Sequence, residues 1–293
     1  MLRPSVLLAL ASLITAGEAV PDLARIERLR VALAPLHVAK TAPVAGEWLA
    51  TQKEPGQTFA EYRVGGPNRP QRGRRTLVVQ PLGAFDDVRR PLLALTADLL
   101  ERYFQLPVVL AEAIDPGAPP ARAHRIHPRD GNEQLLAEWV IVSVIAPRRR
   151  PEAVATLGLM VGDLWPGGDW NFVFGYASNQ HRAGVWSLHR LGDPERELEA
   201  LTLRTLKTAV HETGHMLGID HCIAHECLMN GAMSRDELDS RPMWFCPECV
   251  AKIWWSCGAD PARRCDALAE FAGAHGLADA QRHWLDARAL IGE

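Results

Sequence analysis

A cluster of histidines in the segment HETGHMLGIDH carries the strongest chemical signal in the sequence. His211 and His215 are four residues apart, so on a helix both imidazoles project from one face and can share a metal ion. Gly218 can adopt the left-handed conformation that ends a helix and reverses the chain, which would bring His221 to the same metal. Three histidine ligands leave one tetrahedral position open, as in catalytic rather than structural zinc sites. Glu212 lies beside the pair and could reach a water on the metal without being a ligand.

The cysteines are clustered in one part of the chain. All six fall within residues 222–265, and four of them form two close pairs: Cys222, Cys227, Cys246 and Cys249. Two close pairs are typical of a closed structural zinc site with four thiolates, and we expect zinc here. Two disulfides are the alternative in an exported protein, and the CxxC pair also resembles a redox motif. Cys257 and Cys265 remain, either as a disulfide or as unpaired thiols.

Composition excludes several classes of protein. Of 293 residues, 47% are hydrophobic and 23% are charged, which is ordinary for a globular protein and rules out wholesale disorder. No apolar run reaches the roughly 20 residues that a membrane-spanning helix needs, so we expect no integral membrane segment. Lys and Arg number 32 against 35 Asp and Glu, so there is no general cationic field and we expect no nucleic-acid partner.

The N-terminal quarter separates into two parts. Residues 1–19 combine a positive start, an apolar stretch and small residues before a cleavage point after Ala19, which predicts a signal peptide and an exported, periplasmic or secreted, protein. A buried helix is the alternative, and the protein would then be cytoplasmic. Residues 20–75 form an extension that ends in the Gly/Pro/Arg-rich segment 65–75, which we interpret as a solvated linker.

Strands and helices alternate over the centre of the chain, which indicates a sheet with helices packed on it. We expect strands at Leu77–Val79, Pro107–Leu110, Ala155–Val161, Asn171–Gly175 and Val185–His189. We expect helices at Ala24–Leu36, at Val88–Tyr103 after a cap at Asp86, and from Asp193–Pro194 to Leu217. Asp115–Arg129 is predicted to be a loop. The segment Asn132–Ala146 is ambiguous, because its first residues favour a helix and its last residues favour a strand.

The histidine and cysteine motifs together resemble one known family. The run HETGHMLGIDHCIAHECLMNG followed by CPEC is similar to the signature of the archaemetzincin family of zinc metallopeptidases. Met229 matches the methionine that forms an apolar turn beneath the zinc in metzincins. The stretches Leu157–Ser178 and Val185–Leu191 also resemble this family, and the similarity covers roughly residues 76–256.

The resemblance implies a metzincin-like α/β fold, with a mixed sheet, a backing helix, an active-site helix and a substrate cleft along the sheet edge. It implies that three histidines hold a catalytic zinc: His211, His215 and His221. It also implies that Glu212 is the general base and that four cysteines hold a second, structural zinc: Cys222, Cys227, Cys246 and Cys249. We therefore expect two zinc ions per chain. The resemblance does not explain residues 257–293, which we expect to form a tail with helices near Pro261–Phe271 and Leu277–Ile291.

The expected function is hydrolysis of peptide bonds by a zinc-bound water that Glu212 activates, in a monomer whose partner is a peptide or protein substrate. One alternative is a zinc-stabilised binding module without hydrolysis, although a structural site has no need of an acid beside its first ligand. Another is a zinc hydrolase that acts on a different amide. No cysteine precedes Cys222, so a thiolate from a pro-segment cannot silence the site. The role of residues 20–75 stays open.

Overall fold

A computed structural model describes residues 22–292, in which eight strands are present. Their bounds are β1 Thr76–Leu82, β2 Val108–Leu110, β3 His124–Ile126, β4 Glu133–Leu136, β5 Ala153–Met160, β6 Asp163–Trp165, β7 Gly175–Ser178 and β8 Ala183–Ser187. The predicted signal peptide lies outside the described residues.

Five strands form the central sheet, in the order β2-β1-β5-β8-β7. The first four are parallel, with Leu77 opposite Ala155 and Leu157 opposite Gly184, whereas β7 runs antiparallel to β8 and forms one edge. All eight residues of β5 are buried, as expected for a parallel strand that is covered on both faces. A smaller sheet of three strands, β3-β4-β6, lies beside it.

Ten α-helices are present in residues 22–292: α1 Leu23–Leu33, α2 Trp48–Thr51, α3 Phe59–Val64, α4 Pro91–Phe104, α5 Ala137–Trp139, α6 Leu198–Met216, α7 Arg235–Ser240, α8 Pro247–Cys257, α9 Pro261–Ala274 and α10 Ala278–Ile291. The last turn of α5 continues into a π-helical segment, Val140–Ile145. Helices α4 and α6 pack on one face of the central sheet and the π-helical segment packs on the other. The protein therefore has a mixed α/β fold, with α4 in the place of the expected backing helix and α6 in the place of the expected active-site helix. None of the helices in this part of the chain has the length and apolar character that a membrane span requires.

The helix α4 forms where the apolar pattern predicts it but begins three residues later than expected. Pro91 occupies its first turn, where a missing N–H costs nothing. Asp86 caps a preceding turn instead, because its carboxylate accepts from the backbone N–H groups of Val88 and Arg89. Leu99 and Leu100 are fully buried against the sheet and α6, so packing of one apolar face holds this helix in place.

The ambiguous segment Asn132–Ala146 folds in the opposite order to its local preferences. Glu133–Leu136 forms β4, because β3 and β6 on either side satisfy its backbone groups. The β-branched run Val140–Ile145 is helical, and four of its residues are buried at helical spacing: Val140, Ile141, Val144 and Ile145. The prediction of a loop at Asp115–Arg129 is also wrong in part, since this segment contains β3. Tertiary pairing overrides propensity here.

Two further elements begin four or five residues later than the sequence predicts. The strand expected at Asn171–Gly175 lies at Gly175–Ser178, where β8 provides its partner. The helix expected from Asp193 begins at Leu198, because the Asp193 carboxylate accepts from the nearby Glu195 N–H within a preceding turn.

The segment 65–75 is not a solvated linker. The Asn68 side chain donates to the backbone carbonyls of Val154 and Met216, at 2.9 Å each. The Arg69 guanidinium lies 3.7 Å from the centre of the Trp255 ring. This segment therefore ties the N-terminal extension to the end of α6 and to α8.

The predicted tail helices are present as α9 and α10, which pack on each other and against α4 and α1. Phe271 and Trp284 are each 1% exposed, so the tail has an apolar interface with the rest of the molecule. Cys257 and Cys265 are both buried and unpaired. Of the two alternatives, the structure therefore has two unpaired thiols and not a disulfide.

Candidate active site

The helix α6 carries the first two histidines and ends in a way that returns the chain towards them. Gly218 has a φ of +85°, the left-handed conformation that favours glycine. The N–H of Ile219 donates to the Gly214 carbonyl and that of Gly218 to the His215 carbonyl, both at 2.9 Å. This pair of bonds is a Schellman motif, which satisfies the last carbonyls of the helix. It turns the chain so that His221 faces the two helical histidines.

The three predicted histidines come together. The Nε2 atoms of His211 and His215 are 3.0 Å apart, and one ring nitrogen from each of the three histidines lies within 4.8 Å of the others. The His221 ring centre is 5.2 Å from that of His211 and 4.7 Å from that of His215. The chain reversal at Gly218 therefore brings His221 to the other two histidines, as the spacing predicts.

The second nitrogen of each ring is engaged by an acceptor. Nδ1 of His211 lies 2.8 Å from the Leu228 carbonyl oxygen, and Nδ1 of His215 lies 2.7 Å from that of Ile219. Because a carbonyl only accepts, both Nδ1 atoms must carry the proton, which leaves each Nε2 as a bare lone pair. For His221, Nδ1 lies 2.8 Å from a carboxylate oxygen of Glu54. An acceptor on the far nitrogen is the arrangement usually found behind metal-bound histidines.

These residues fit a zinc ion. Two bare lone pairs at 3.0 Å repel each other, and a cation between them removes that repulsion. Tetrahedral zinc with bonds of about 2.0–2.1 Å separates its nitrogen ligands by about 3.3 Å, close to the distance here. Burial also lowers the pKa of His211 well below its ordinary value and that of His215 to about 3. Both imidazoles are therefore neutral, the form that binds metal.

Glu212 is 6% exposed and lies against Gly175, the first residue of β7. Burial raises the pKa of this carboxyl to about 8, and the positive charge of Arg241 acts in the opposite direction. The positive charge of a zinc ion at the adjacent histidines would also oppose the effect of burial and favour the carboxylate, which is the form that accepts a proton. Its position against the edge strand brings that chemistry to the edge of the sheet.

Arg241 is a buried cation that the sequence analysis did not identify. Its Nη1 lies 3.4 Å from Nδ1 of His211, but that nitrogen already donates to Leu228, so the contact is electrostatic. Burial lowers the pKa of Arg241 to about 10, so it stays charged at neutral pH. No pattern in the sequence distinguishes this arginine, because its partners come from α6.

Met229 packs against the turn of α6 that carries the two histidines. Its side chain is fully buried, and its sulfur packs against Gly214 of α6. A Cβ at Gly214 would lie 2.7 Å from the Met229 sulfur, so only glycine allows the methionine to come this close. Gly214 lies between the two helical ligands, and the contact supports that turn of the helix.

The four predicted cysteines also come together, at one buried point next to His221. Their sulfur atoms all lie within 4.8 Å of one another, and the sulfurs of Cys222 and Cys246 are 3.6 Å apart. A disulfide requires about 2.05 Å, whereas sulfurs on tetrahedral zinc are separated by about 3.8 Å. The Cys227 sulfur accepts from the backbone N–H groups of Met229 and Cys246, at 3.4 and 3.2 Å. The cluster fits a closed zinc site better than two disulfides.

Comparison with known proteins gives the family. A family model described as Peptidase family M54 matches residues 152–254. The archaemetzincin of Thermococcus kodakarensis is 32% identical over 184 residues, which cover 61% of this chain and 95% of that protein. The chain belongs to the archaemetzincin family. Human archaemetzincin-2 is 26% identical over 257 residues, which cover 76% of this chain and 71% of the human protein.

A solved structure agrees with this assignment at the level of the fold. The crystal structure of archaemetzincin from Methanopyrus kandleri has a TM-score of 0.54 at 23% identity, and the match covers 65% of this chain and 99% of that one. The archaemetzincin family is a family of zinc metallopeptidases, so this chain is a zinc-dependent peptidase and its substrates are peptides. Each archaeal relative is nearly fully covered and leaves part of this chain unmatched.

Proposed function

We propose that this archaemetzincin binds its catalytic zinc through His211, His215 and His221, with Glu212 as the general base. The observation that best supports this assignment is the common orientation of the three imidazoles. Each engages its Nδ1 with an oxygen acceptor and turns its other nitrogen to a shared point. Such a site belongs to the metzincin type, in which a third histidine follows the helix.

When bound, zinc supplies Lewis acidity, which polarises a carbonyl and makes water more acidic. Glu212 then accepts the proton of the attacking water on a carboxylate oxygen and returns it to the nitrogen of the leaving amine. The helix α6 holds Glu212 next to His211, and the burial of its carboxyl keeps competing water away from the proton. Arg241 contributes a fixed positive charge beside both residues.

The edge strand β7 is the natural place for an extended substrate. In the described part of the chain β7 pairs only with β8, so its outer backbone groups are available to a peptide. A peptide that adds as a further strand would lie along Gly175–Ser178, next to Glu212. We propose that main-chain hydrogen bonds hold the substrate there and that side-chain pockets select it.

We further propose that four cysteines bind a second, structural zinc: Cys222, Cys227, Cys246 and Cys249. Their burial leaves no open position for substrate, which is typical of a structural site. The site would hold the segment after His221 against the start of α8. Since Cys222 follows His221 directly, the second zinc would also stabilise the third catalytic ligand.

Elemental analysis combined with two variants tests these assignments. We expect two zinc ions per chain in the purified protein and one in His215→Ala, which should not cleave peptides. Glu212→Gln should keep both zinc ions and lose roughly 10²–10⁴-fold in kcat, because the amide cannot take up the proton. Glu199→Gln, an exposed glutamate on the same helix, is the matched control and should keep full activity.

Three outcomes would contradict parts of the proposal. Normal cleavage by Glu212→Gln would reject the base assignment. Activity in His215→Ala would reject the metal site. A zinc content of one in the wild-type protein that falls to zero in His215→Ala would show that the cysteines hold no metal ion.

We also propose that the protein is exported and acts as a monomer. The N-terminal pattern of residues 1–19 supports export, and the mass of the protein recovered from its native cell would test it. Cleavage after Ala19 is the expected result, and an intact N-terminus in the cytoplasm would contradict it. Light scattering on the purified protein would test the monomer.

A further inference from the structure

The N-terminal extension crosses the catalytic site. We call residues 39–57 the strap. At one end the strap forms a bridge between Ala39 and His225, and at the other the Gln57 side chain donates to the Gly218 carbonyl at 3.1 Å. The strap therefore spans both sides of His221. Nothing in the sequence motifs pointed to this segment as part of the site.

Glu54 of the strap is the only side chain among the three acceptors behind the histidines. Its Oε1 lies 2.8 Å from Nδ1 of His221, across 167 residues of sequence. The acceptors for His211 and His215 are backbone carbonyls of the catalytic domain itself. Loss of the strap would thus leave two of the ligands anchored and the third without its acceptor.

His221 needs such an anchor more than the other two ligands. His211 and His215 project from α6, whose packing limits their rotamers, whereas His221 lies in the irregular segment after the helix. Its side chain is 17% exposed, so burial alone does not hold the ring in place. A histidine on a partly exposed loop can rotate about its side-chain bonds unless a hydrogen bond holds the ring.

Trp48 of the strap holds the same ring from a second direction. Its indole meets the His221 ring edge to face, with centres 5.1 Å apart, and it contacts the Trp170 ring at 5.9 Å. The backbone N–H of Trp48 donates to the Glu237 carboxylate at 2.8 Å. The indole packs directly on Gly231, where a methyl group would overlap it. Trp48 is thus fastened to the domain, and the strap is a fitted part of the site.

From these contacts we infer that the strap completes the catalytic metal site, with Glu54 as the positioning residue for His221. The Glu54 carboxylate accepts the Nδ1 proton of His221, which selects the tautomer whose Nε2 faces the other two histidines. Trp48 prevents the ring from turning away. This inference rests on the proposed three-histidine zinc site. It means that the strap is an integral part of the peptidase and not a pro-segment to be removed.

Metal binding to the full-length protein tests the inference without reference to activity. Zinc affinity would be measured by competition with a chromophoric chelator for wild type, Glu54→Ala and Glu54→Gln. Loss of an outer-shell partner typically weakens metal binding by about 10- to 100-fold, and we expect this in Glu54→Ala at the histidine site only. Glu54→Gln should be intermediate, since its amide oxygen still accepts but carries no charge. Lys53→Ala, at the exposed neighbouring residue, is the matched control.

Cobalt substitution separates the two sites, because cobalt–thiolate absorption reports the cysteine cluster alone. Unchanged thiolate bands together with weaker binding at the histidine site support the inference. Binding within twofold of wild type in both Glu54 variants would overturn it while leaving the proposed function intact. Should Glu54→Ala lose the thiolate bands through misfolding, Glu54→Gln decides, with weaker binding in support and equal binding against. A wild-type protein that binds no metal at the histidines would instead refute the proposed function.

Discussion

Replacing Gly214 by alanine should have two opposing effects on the stability of the protein. Helix propensity favours alanine, whereas the contact with Met229 leaves no room for its methyl group. In an exposed helix interior, replacing glycine by alanine stabilises by about 1 kcal/mol. Gly214 is buried in α6, and a Cβ there would lie 2.7 Å from the sulfur and 3.1 Å from the terminal methyl of Met229. Inserting a methyl group into a packed core costs about 1–3 kcal/mol. We therefore expect Gly214→Ala to destabilise the protein by about 0–2 kcal/mol.

A Met229→Ala background should reverse the sign of this effect. Without the methionine side chain, the new methyl group has room and only the helix-propensity gain of about 1 kcal/mol remains. Met229→Ala alone should cost about 2–5 kcal/mol, since its side chain is fully buried. The two substitutions should thus be coupled by about 1–3 kcal/mol.

Urea unfolding of the zinc-saturated wild type, both single variants and the double variant measures the coupling. Zinc content must be determined for each, because loss of a bound metal would itself lower stability. If Gly214→Ala stabilises the protein equally in both backgrounds, Met229 does not pack against α6 as described. The proposed support of the histidine turn by this methionine would then be wrong.

Three more predictions follow from the same structure. Gly175→Ala should displace the Glu212 carboxylate and lower kcat by roughly 10²-fold with unchanged zinc content, and unchanged kcat would show that Glu212 does not depend on β7. A zinc chelator should remove the zinc proposed at the histidines first, because the cysteine cluster is buried, and peptide cleavage should be lost at that point. Simultaneous loss of both zinc ions would contradict two independent sites. Burial lowers the pKa of His283 from 6.5 to about 3. Between pH 6.5 and about 3 the unfolded chain therefore binds more protons than the folded protein, so the stability of the fold decreases as the pH falls through this range. His283→Phe, which keeps the stacking on Trp244, should move acid unfolding to lower pH when followed by tryptophan fluorescence, and an unmoved midpoint would refute this.

The sequence predicted the two ligand clusters and the central elements because these depend on local spacing. His211 and His215 share a helical face wherever the helix forms, and Gly218 permits the turn that follows. The strands β1, β5 and β8 were found from their apolar runs, and α9 and α10 from their helical stretches. Where local preference was weak or contradictory, as in 132–146, the partner strands decided the outcome, and those partners are not visible in a local pattern.

The candidate metal ligands can be identified from the sequence because i, i+4 spacing, a glycine turn and a CxxC pair act over a few residues. The groups that lie behind those ligands depend on how distant segments pack together. Glu54, Trp48 and Arg241 lie far from His221 or His211 along the chain and are brought to them by packing of the extension and of the segment after α7. A contact across 167 residues leaves no periodic trace in a sequence, since its cause is the shape of the folded domain.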